Sequence, residues 1–482
     1  MALEIPRLAI MGHPNAGKSS VVATLTENDR IAIDQRAGTT TESDVYPVII
    51  DGQTVIEFID TPGFQNPSAI LEWFQAHNAQ SDLAGAFVLA HRADPLFAHD
   101  CALLEPVGAG AGAGAGIILV VDGSKRIKEK DRIEIELLRL TARPRMAILN
   151  NLTKQPRYIE QWQDALSKAF NSVREFNAHR ATYAERIKLL SALKSIDQRW
   201  EPRLEQTIDA FARDWERRID QAAATILDLL RDSLSFRYSE SFKNNKLVFK
   251  SGQDRAKDAV MAAFGDGLRA LEARAQEQIR ANFHHNVWNL APGSILDQDL
   301  LSEEVSRSLG ISRGQLALAG IAAGAASGAT IDLATAGSSL GAAAFLGAAA
   351  GGLLGYMGGN ALAKLDIEQT AGTQRFTVGP VTNPKFPFIL LDRIILYSAR
   401  AMNWAHGRQA ADEEAPDRVP DKEIPSKGFT ESLSTQQQRD LARFFSAARR
   451  GKASDREDAC RDLIKAILRD VAEGRIDSRA NL

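Results

Sequence analysis

At 482 residues the chain is too long for one ordinary domain, and at roughly 100 to 200 residues per domain it should hold about three. Charged residues make up 25% and the formal net charge is −3, so no global basic field exists to hold DNA or RNA by counterion release, and a dedicated nucleic-acid binder is disfavoured. The two cysteines, Cys101 and Cys460, lie far apart without metal-ligand spacing or a disulfide framework, as a reducing compartment favours. The opening MALEIPRLAIMG has neither a basic leader nor a small-residue cleavage site, so the expected location is cytoplasmic.

Over residues 1–197, strand-like and helix-like patterns alternate, which predicts an α/β fold with a mostly parallel sheet and flanking helices. The predicted strands are Arg7 to Met11, Val45 to Asp51, Val55 to Asp60, Ile117 to Asp122, Arg145 to Asn150 and Ser172 to Asn177. Helical patterns fall at Lys18 to Glu27, Ile70 to Gln80, Lys128 to Thr141 and Tyr158 to Phe170, and a last one at Ala181 to Ile196 closes the domain. The run GAGAGAGAG, Gly108 to Gly116, is of low complexity and reads as a flexible approach to the fourth strand.

The remainder reads as mainly α-helical. Residues 198–310 form a long-helix domain, in which Leu204, Ile208, Phe211, Trp215, Ile219, Ala222, Ile226 and Leu229 make one apolar stripe. Val260, Phe264, Leu268, Leu271, Ala275 and Ile279 make a second. Residues 311–365 are a Gly/Ala-rich hydrophobic hairpin: no charged side chain occurs from Gly314 to Ile331 or from Leu333 to Ala363, and Asp332 stands alone between the runs. Gly320, Gly324 and Gly328, then Gly347, Gly351, Gly355 and Gly359, recur every four residues, so a helix gathers them on one face as a glycine zipper. Length permits the second run to cross a bilayer and leaves the first borderline, whereas Ala and Gly supply little transfer energy; a membrane hairpin and a tightly packed buried hairpin stay open. Residues 366–482 complete a helical C-terminal domain, with a strand-like piece around Phe376, an apolar helix from Phe386 to Ala405, a Pro-rich charged linker over 407–428, and amphipathic helices at Thr435 to Arg449 and Asp455 to Ala472.

The strongest chemical signal is GHPNAGKS, comprising Gly12, His13, Pro14, Asn15, Ala16, Gly17, Lys18 and Ser19, with Ser20 following. It matches GxxxxGK[ST] between a strand and a helix, the context that makes it a phosphate-binding loop. Its backbone N–H groups wrap phosphates, Lys18 reaches the terminal phosphates, and the Ser19 hydroxyl faces a magnesium ion. In IEFIDTPGF, a hydrophobic strand delivers Asp60 to its carboxyl edge, where it can hold the magnesium through water, and the Gly63 N–H can meet a γ-phosphate. Between the two lies AGTTTES, Ala37 to Ser43, placed as a first switch whose threonine completes the magnesium shell.

Together, GHPNAGKSS, AGTTTE and DTPG at these separations resemble the Era and TrmE-like branch of translation-factor-type GTPases, over about the first 197 residues. The resemblance implies GTP and GDP as ligands, with Thr40 as the first-switch magnesium ligand and Lys18, Thr40 and Gly63 as the residues serving hydrolysis. It also implies that Asn15 helps hold a potassium ion beside the phosphates, where the cation would replace an arginine finger. Phe64 stands where Ras-like enzymes place a water-orienting glutamine, so intrinsic turnover should be slow and activation should come from a partner or from self-association through the G-domain or the glycine zipper. The whole layout is similar to proteobacterial GTPases that join this domain to a C-terminal domain of unknown function with a Gly/Ala-rich hydrophobic segment.

The base site departs from this pattern. Related families read guanine with N-K-x-D after the fifth strand; here Asn150 keeps the first position, Asn151 replaces the lysine and Thr153 the aspartate. A threonine hydroxyl cannot accept both guanine donors as a carboxylate does, so discrimination by that route weakens. Asn150 either contacts the base or braces the phosphate loop, and FNAHRA, Phe176 to Ala181, is a candidate base-covering loop. The resulting expectation is a slow GTPase switch whose nucleotide state controls a helical module contacting a membrane surface or a membrane-bound partner, peripheral to or inserted in the inner membrane. A non-catalytic nucleotide-gated scaffold and a dynamin-like remodeller are the alternatives.

Overall fold

The computed structural model describes residues 4–27, 43–108, 114–150, 157–178, 181–244, 250–284, 362–370, 372–403, 429–452 and 456–472. The chain divides into two compact units, and the change from the first to the second falls between Arg217 and Arg218.

The first unit is built on a six-stranded sheet. Its strands are β1 (Arg7–Met11), β2 (Asp44–Ile50), β3 (Gln53–Asp60), β4 (Gly116–Asp122), β5 (Arg145–Asn150) and β6 (Ser172–Phe176), in the order β2-β3-β1-β4-β5-β6. Only β2 runs antiparallel, and it pairs with β3. The central strands carry the near-continuous apolar runs that a sheet covered on both faces requires: all seven residues of GIILVVD in β4 are buried. Successive side chains divide between two cores, as the two-residue period dictates. Leu8 and Ile10 join Val21, Val22, Leu189 and Trp200 on one face, while Ala9 and Met11 join Ile70, Phe74, Leu138 and Trp162 on the other.

The helices of this unit are α1 (Lys18–Thr26), α2 (Pro67–Ala76), α3 (Leu83–His91), α4 (Ala98–Leu104), α5 (Glu129–Leu140), α6 (Ile159–Ser167) and α7 (Tyr183–Leu193). Sequence cues place several boundaries: Pro67 opens α2 at its first turn, where a missing N–H costs nothing. Thr182 and Glu185 close a reciprocal capping box on α7. Helices α3 and α4, with a 3-10 turn at Pro95–Phe97 between them, are additions that periodicity does not predict. LAGAFVLAH in α3 is apolar almost all round and shows no stripe, and α4 is only seven residues long.

Helix α8 (Glu201–Ser235) carries the first long apolar stripe, and the change of units falls within it. The second unit then holds β7 (Tyr238–Lys243), α9 (Lys250–Asn282), β8 (Ala363–Thr370), β9 (Thr373–Val381), α10 (Phe386–Asn403), α11 (Thr435–Arg449) and α12 (Glu457–Ala472). Its helices follow the predicted ones closely. Of its antiparallel sheet, in the order β7-β9-β8, the sequence pattern marks only the piece around Phe376. The outer strands YSESFK and AKLDIEQT are rich in polar residues and largely exposed, so neither gives a strong alternating apolar signal. The uncharged run that ends at Ala363 therefore leads directly into a strand. The glycine-zipper positions, Gly320 to Gly359, lie outside the described residues.

Inside this unit α10 carries two buried charged residues. Asp392 accepts hydrogen bonds from the Thr430 backbone N–H and from its hydroxyl, both at 2.8 Å, and Arg393 pairs with Glu272 of α9. These are the partners that make buried charge tolerable. Among the described residues no helix is long and apolar enough to cross a membrane.

Candidate functional site

Parallel pairing of β1 with β3 sets Ile10 beside Asp60, and this register brings the ends of two strands together from distant parts of the chain. The loop after β1 then turns tightly. Gly12 has φ +139°, and a Cβ there would lie 2.1 Å from the Val120 carbonyl oxygen, so the loop passes too close to β4 for any side chain. Gly17, at φ +88°, forms the left-handed entry to α1, and Asn15 holds a left-handed φ of 64° with its side chain exposed. The glycines of the motif are thus backbone requirements of the loop.

Lys18 lies within the loop it follows, with Nζ donating to the Gly12 carbonyl at 3.0 Å and the His13 carbonyl at 3.4 Å. Burial lowers its pKa, while Asp60 and Glu134 pull it up. Ser19 Oγ donates to Asp60 Oδ2 at 2.8 Å. Asp60 is buried, its Oδ1 has no hydrogen-bond partner, and burial raises its pKa against the pull of the Ser19 hydrogen bond and of Lys18. Gly63 packs against the loop: a Cβ there would meet Pro14 Cδ at 3.3 Å and the Gly12 carbonyl oxygen at 3.4 Å.

The donor set fits magnesium. A hydroxyl and a carboxylate, with one carboxylate oxygen unpartnered, give the sparse oxygen ligation this ion takes beside phosphates. Among the described residues no group of three or more His, Cys, Asp or Glu is arranged to hold a metal. Thr40, the expected third ligand, lies outside the described residues.

Asn150, at the end of β5, is fully buried and has both ends of its amide engaged. Nδ2 donates to the Ala16 carbonyl at 2.9 Å, and Oδ1 accepts the Ala178 N–H at 3.2 Å. These bonds tie the phosphate loop to the loop after β6, a brace that an amide with two N–H donors makes without giving up contact to a base. Thr24 adds a second tie, from Oγ1 to the Ala178 carbonyl at 2.8 Å. Asn151 and Thr153 lie outside the described residues.

The structure also adds residues that the motifs did not mark. The His13 side chain turns onto α5, with Nε2 2.7 Å from Asp131 Oδ1 and 3.6 Å from Glu134 Oε1. Burial works against the Asp131 carboxylate, but the His13 hydrogen bond and the Lys128 N–H outweigh it and hold its pKa down. Glu134 is more deeply affected: burial pushes it up to about 7, against His13 and Lys130. Lys130 Nζ also donates to the Phe64 carbonyl at 3.0 Å, and Phe64 itself is only 4% exposed. Asp131 and Glu134 stand three residues apart on one helix face, a spacing visible in EKDRIEIE; nothing in the sequence says that the face meets His13.

Comparison with known proteins divides the chain in two. The family model described as a domain of unknown function, DUF3482, matches residues 163–475. The model described as 50S ribosome-binding GTPase matches residues 7–151. The GTPase Der of Rhodopirellula baltica is 40% identical over 93 residues, 19% of this chain and 20% of that protein. The GTPase Era of Ureaplasma parvum serovar 3 is 28% identical over 130 residues, 26% of this chain and 42% of that protein. A crystal structure of Aquifex aeolicus Era bound to GDP.AlF4- aligns over 58% of this chain and 89% of that one, with 16% identity and a TM-score of 0.26. The chain spans at most 42% of the length of these curated relatives.

Proposed function

The chain belongs to the DUF3482 family, whose model covers residues 163–475, and carries an Era- and Der-like P-loop GTPase domain ahead of it; from that premise we propose that it is a GTP-binding and hydrolysing switch. The observation that carries the reading is the Ser19 to Asp60 hydrogen bond at 2.8 Å, which joins the phosphate loop to the end of the strand that senses the terminal phosphate.

In this reading the loop N–H groups from Gly12 to Ser19 bind the phosphates, and Lys18 leaves the Gly12 and His13 carbonyls to meet them. Ser19 and Asp60, with Thr40, hold the magnesium ion, which when bound neutralises charge on the phosphate oxygens. Gly63 presents its N–H to the γ-phosphate from beside Pro14, and the buried Phe64 keeps bulk water from that side. Asn15 helps hold a potassium ion. Asn150 braces the loop through one N–H and its carbonyl oxygen, and the second N–H of its amide is a donor for the base.

Calorimetric titration of the full chain with GDP, ADP and XDP in magnesium tests the ligand, and GDP should bind tightest. Equal affinity for GDP and ADP would remove the guanine assignment. Hydrolysis compared in potassium and sodium tests the cation; equal rates remove it. The C-terminal module is read as the output, contacting a membrane or a membrane-bound partner. Flotation with anionic vesicles in GTP and GDP checks this, and a chain that never floats, with or without residues 314–363, rules it out.

The buried Phe64 also favours a second reading, a nucleotide-gated scaffold that hardly hydrolyses. Single-turnover assays with lipid present separate the two, since the scaffold releases no phosphate.

A further inference from the structure

We propose that Asp100, on the short helix α4, is a positioning residue of the nucleotide site, and that α4 links the two nucleotide-sensing stretches of the chain. The inference rests on the GTPase reading and extends it to a part of the fold that the motifs leave unused.

Asp100 is fully buried, and its carboxylate serves the loop that follows Gly63. Oδ1 accepts the Gln65 N–H at 2.9 Å and the Asn66 N–H at 3.4 Å, and Oδ2 accepts from Asn66 Nδ2 at 3.1 Å. Asn66 Nδ2 also donates to the Leu96 carbonyl at 3.0 Å, just ahead of the helix. From the opposite side Lys130 holds the Phe64 carbonyl at 3.0 Å. Three consecutive residues after Gly63 are therefore fixed by side chains from two helices.

Two residues further along α4, the Ala102 carbonyl accepts the Ser43 hydroxyl at 2.8 Å. Ser43 is the last residue of AGTTTES. Ala102 lies in the last turn of a helix that ends at Leu104, where carbonyls lack intrahelical partners and are free to take an outside donor. Leu103 and Leu104 are buried in the core against the sheet, so the helix cannot shift its two polar contacts independently. A single seven-residue element thus touches the end of the first stretch through a carbonyl and the second stretch through a carboxylate. A change at Gln65–Asn66 around a γ-phosphate thus acts on the helix that holds Ser43, and a change at Ser43 acts on the helix that holds Gln65–Asn66.

The test uses the full chain as wild type, Asp100→Ala, Asp100→Asn and Ser43→Ala. Hydrogen exchange is followed in peptides containing Gln65–Asn66 and Ser43–Ile50, with magnesium and either GDP or a non-hydrolysable GTP analogue. In the wild type the analogue should protect both peptides. Ser43→Ala should keep GDP affinity within about twofold yet lose about half of the analogue's protection at Gln65–Asn66. Asp100→Ala should lose protection at Ser43–Ile50 and lower the preference for analogue over GDP about tenfold, the size expected for hydrogen bonds to a charged acceptor. Asp100→Asn, which keeps an oxygen for Gln65, should recover most of that preference. Ser43→Ala guards the test if Asp100→Ala fails to fold. Wild-type protection of both peptides that persists unchanged in the variants overturns the link alone. A wild type that binds neither nucleotide overturns the GTPase reading, and the link with it.

Discussion

Ser19 and Asp60 share a 2.8 Å hydrogen bond from Oγ to Oδ2, and the second oxygen of Asp60 is buried without a partner. That geometry is costly for the empty protein, because burial raises the Asp60 pKa and disfavours its charge. Asp60→Asn should therefore stabilise the nucleotide-free chain at neutral pH while weakening magnesium-dependent GDP binding by roughly 10- to 100-fold. Thermal denaturation with and without Mg·GDP measures both effects. A variant with lower apo stability and intact magnesium response would remove the assignment.

Asn150 is expected to be worth more to the fold than an exposed base-contacting residue would be. Asn150→Ala leaves the Ala16 carbonyl and the Ala178 N–H buried without partners. At about 1 to 3 kcal/mol for each unmet group, the loss is roughly 2 to 6 kcal/mol, measurable by urea unfolding. Nucleotide affinity should fall with it, since the phosphate loop loses its tie.

Base choice should respond to restoring the usual residues. Asn151→Lys with Thr153→Asp supplies a carboxylate for the two guanine donors and a lysine stem for the ring face. The preference for GDP over ADP should rise by about tenfold or more, as charge-assisted bidentate bonds imply. Calorimetry of both nucleotides decides it; an unchanged ratio means that the base is read elsewhere.

Glu134 predicts a pH dependence. Its carboxyl is raised by burial from the ordinary 4.5 to about 7, so between those values the folded chain holds a proton that the unfolded chain has released. Stability from this group is thus highest below about 4.5 and falls as pH rises to about 7, after which the loss is complete. Glu134→Gln removes the slope. The stability gap between variant and wild type should widen on the order of 2 to 3 kcal/mol between pH 5 and 7.5. A gap that stays constant or narrows contradicts the burial of this charge.

Legibility in the sequence follows the range of the interactions. The strands Arg7–Met11 and Arg145–Asn150 are readable to the residue because each is an apolar run stopped by a polar or glycine turn. The phosphate loop is readable because its chemistry is contiguous, and Asp60 because a hydrophobic strand carries it to an edge. Asp100, Asp131 and Glu134 are not readable as site residues: HDCALL and EKDRIEIE are ordinary helical stretches until the fold sets them against Gln65 and His13. The polar strands Tyr238–Lys243 and Ala363–Thr370 escape for another reason, since they depend on pairing with Thr373–Val381 and carry little apolar pattern of their own.

Gly116, the last glycine of the Gly–Ala run, meets Trp200: a Cβ there would lie 2.3 Å from the buried indole. Gly116 directly precedes Ile117 at the head of β4, so adding or removing residues upstream in the run, in even or odd number, leaves this glycine in place. Gly116→Ala sets a methyl group against the indole instead. The length of the tract is therefore open to variation while its last residue is not, a restriction imposed on a simple repeat by one tryptophan that follows it by more than eighty residues.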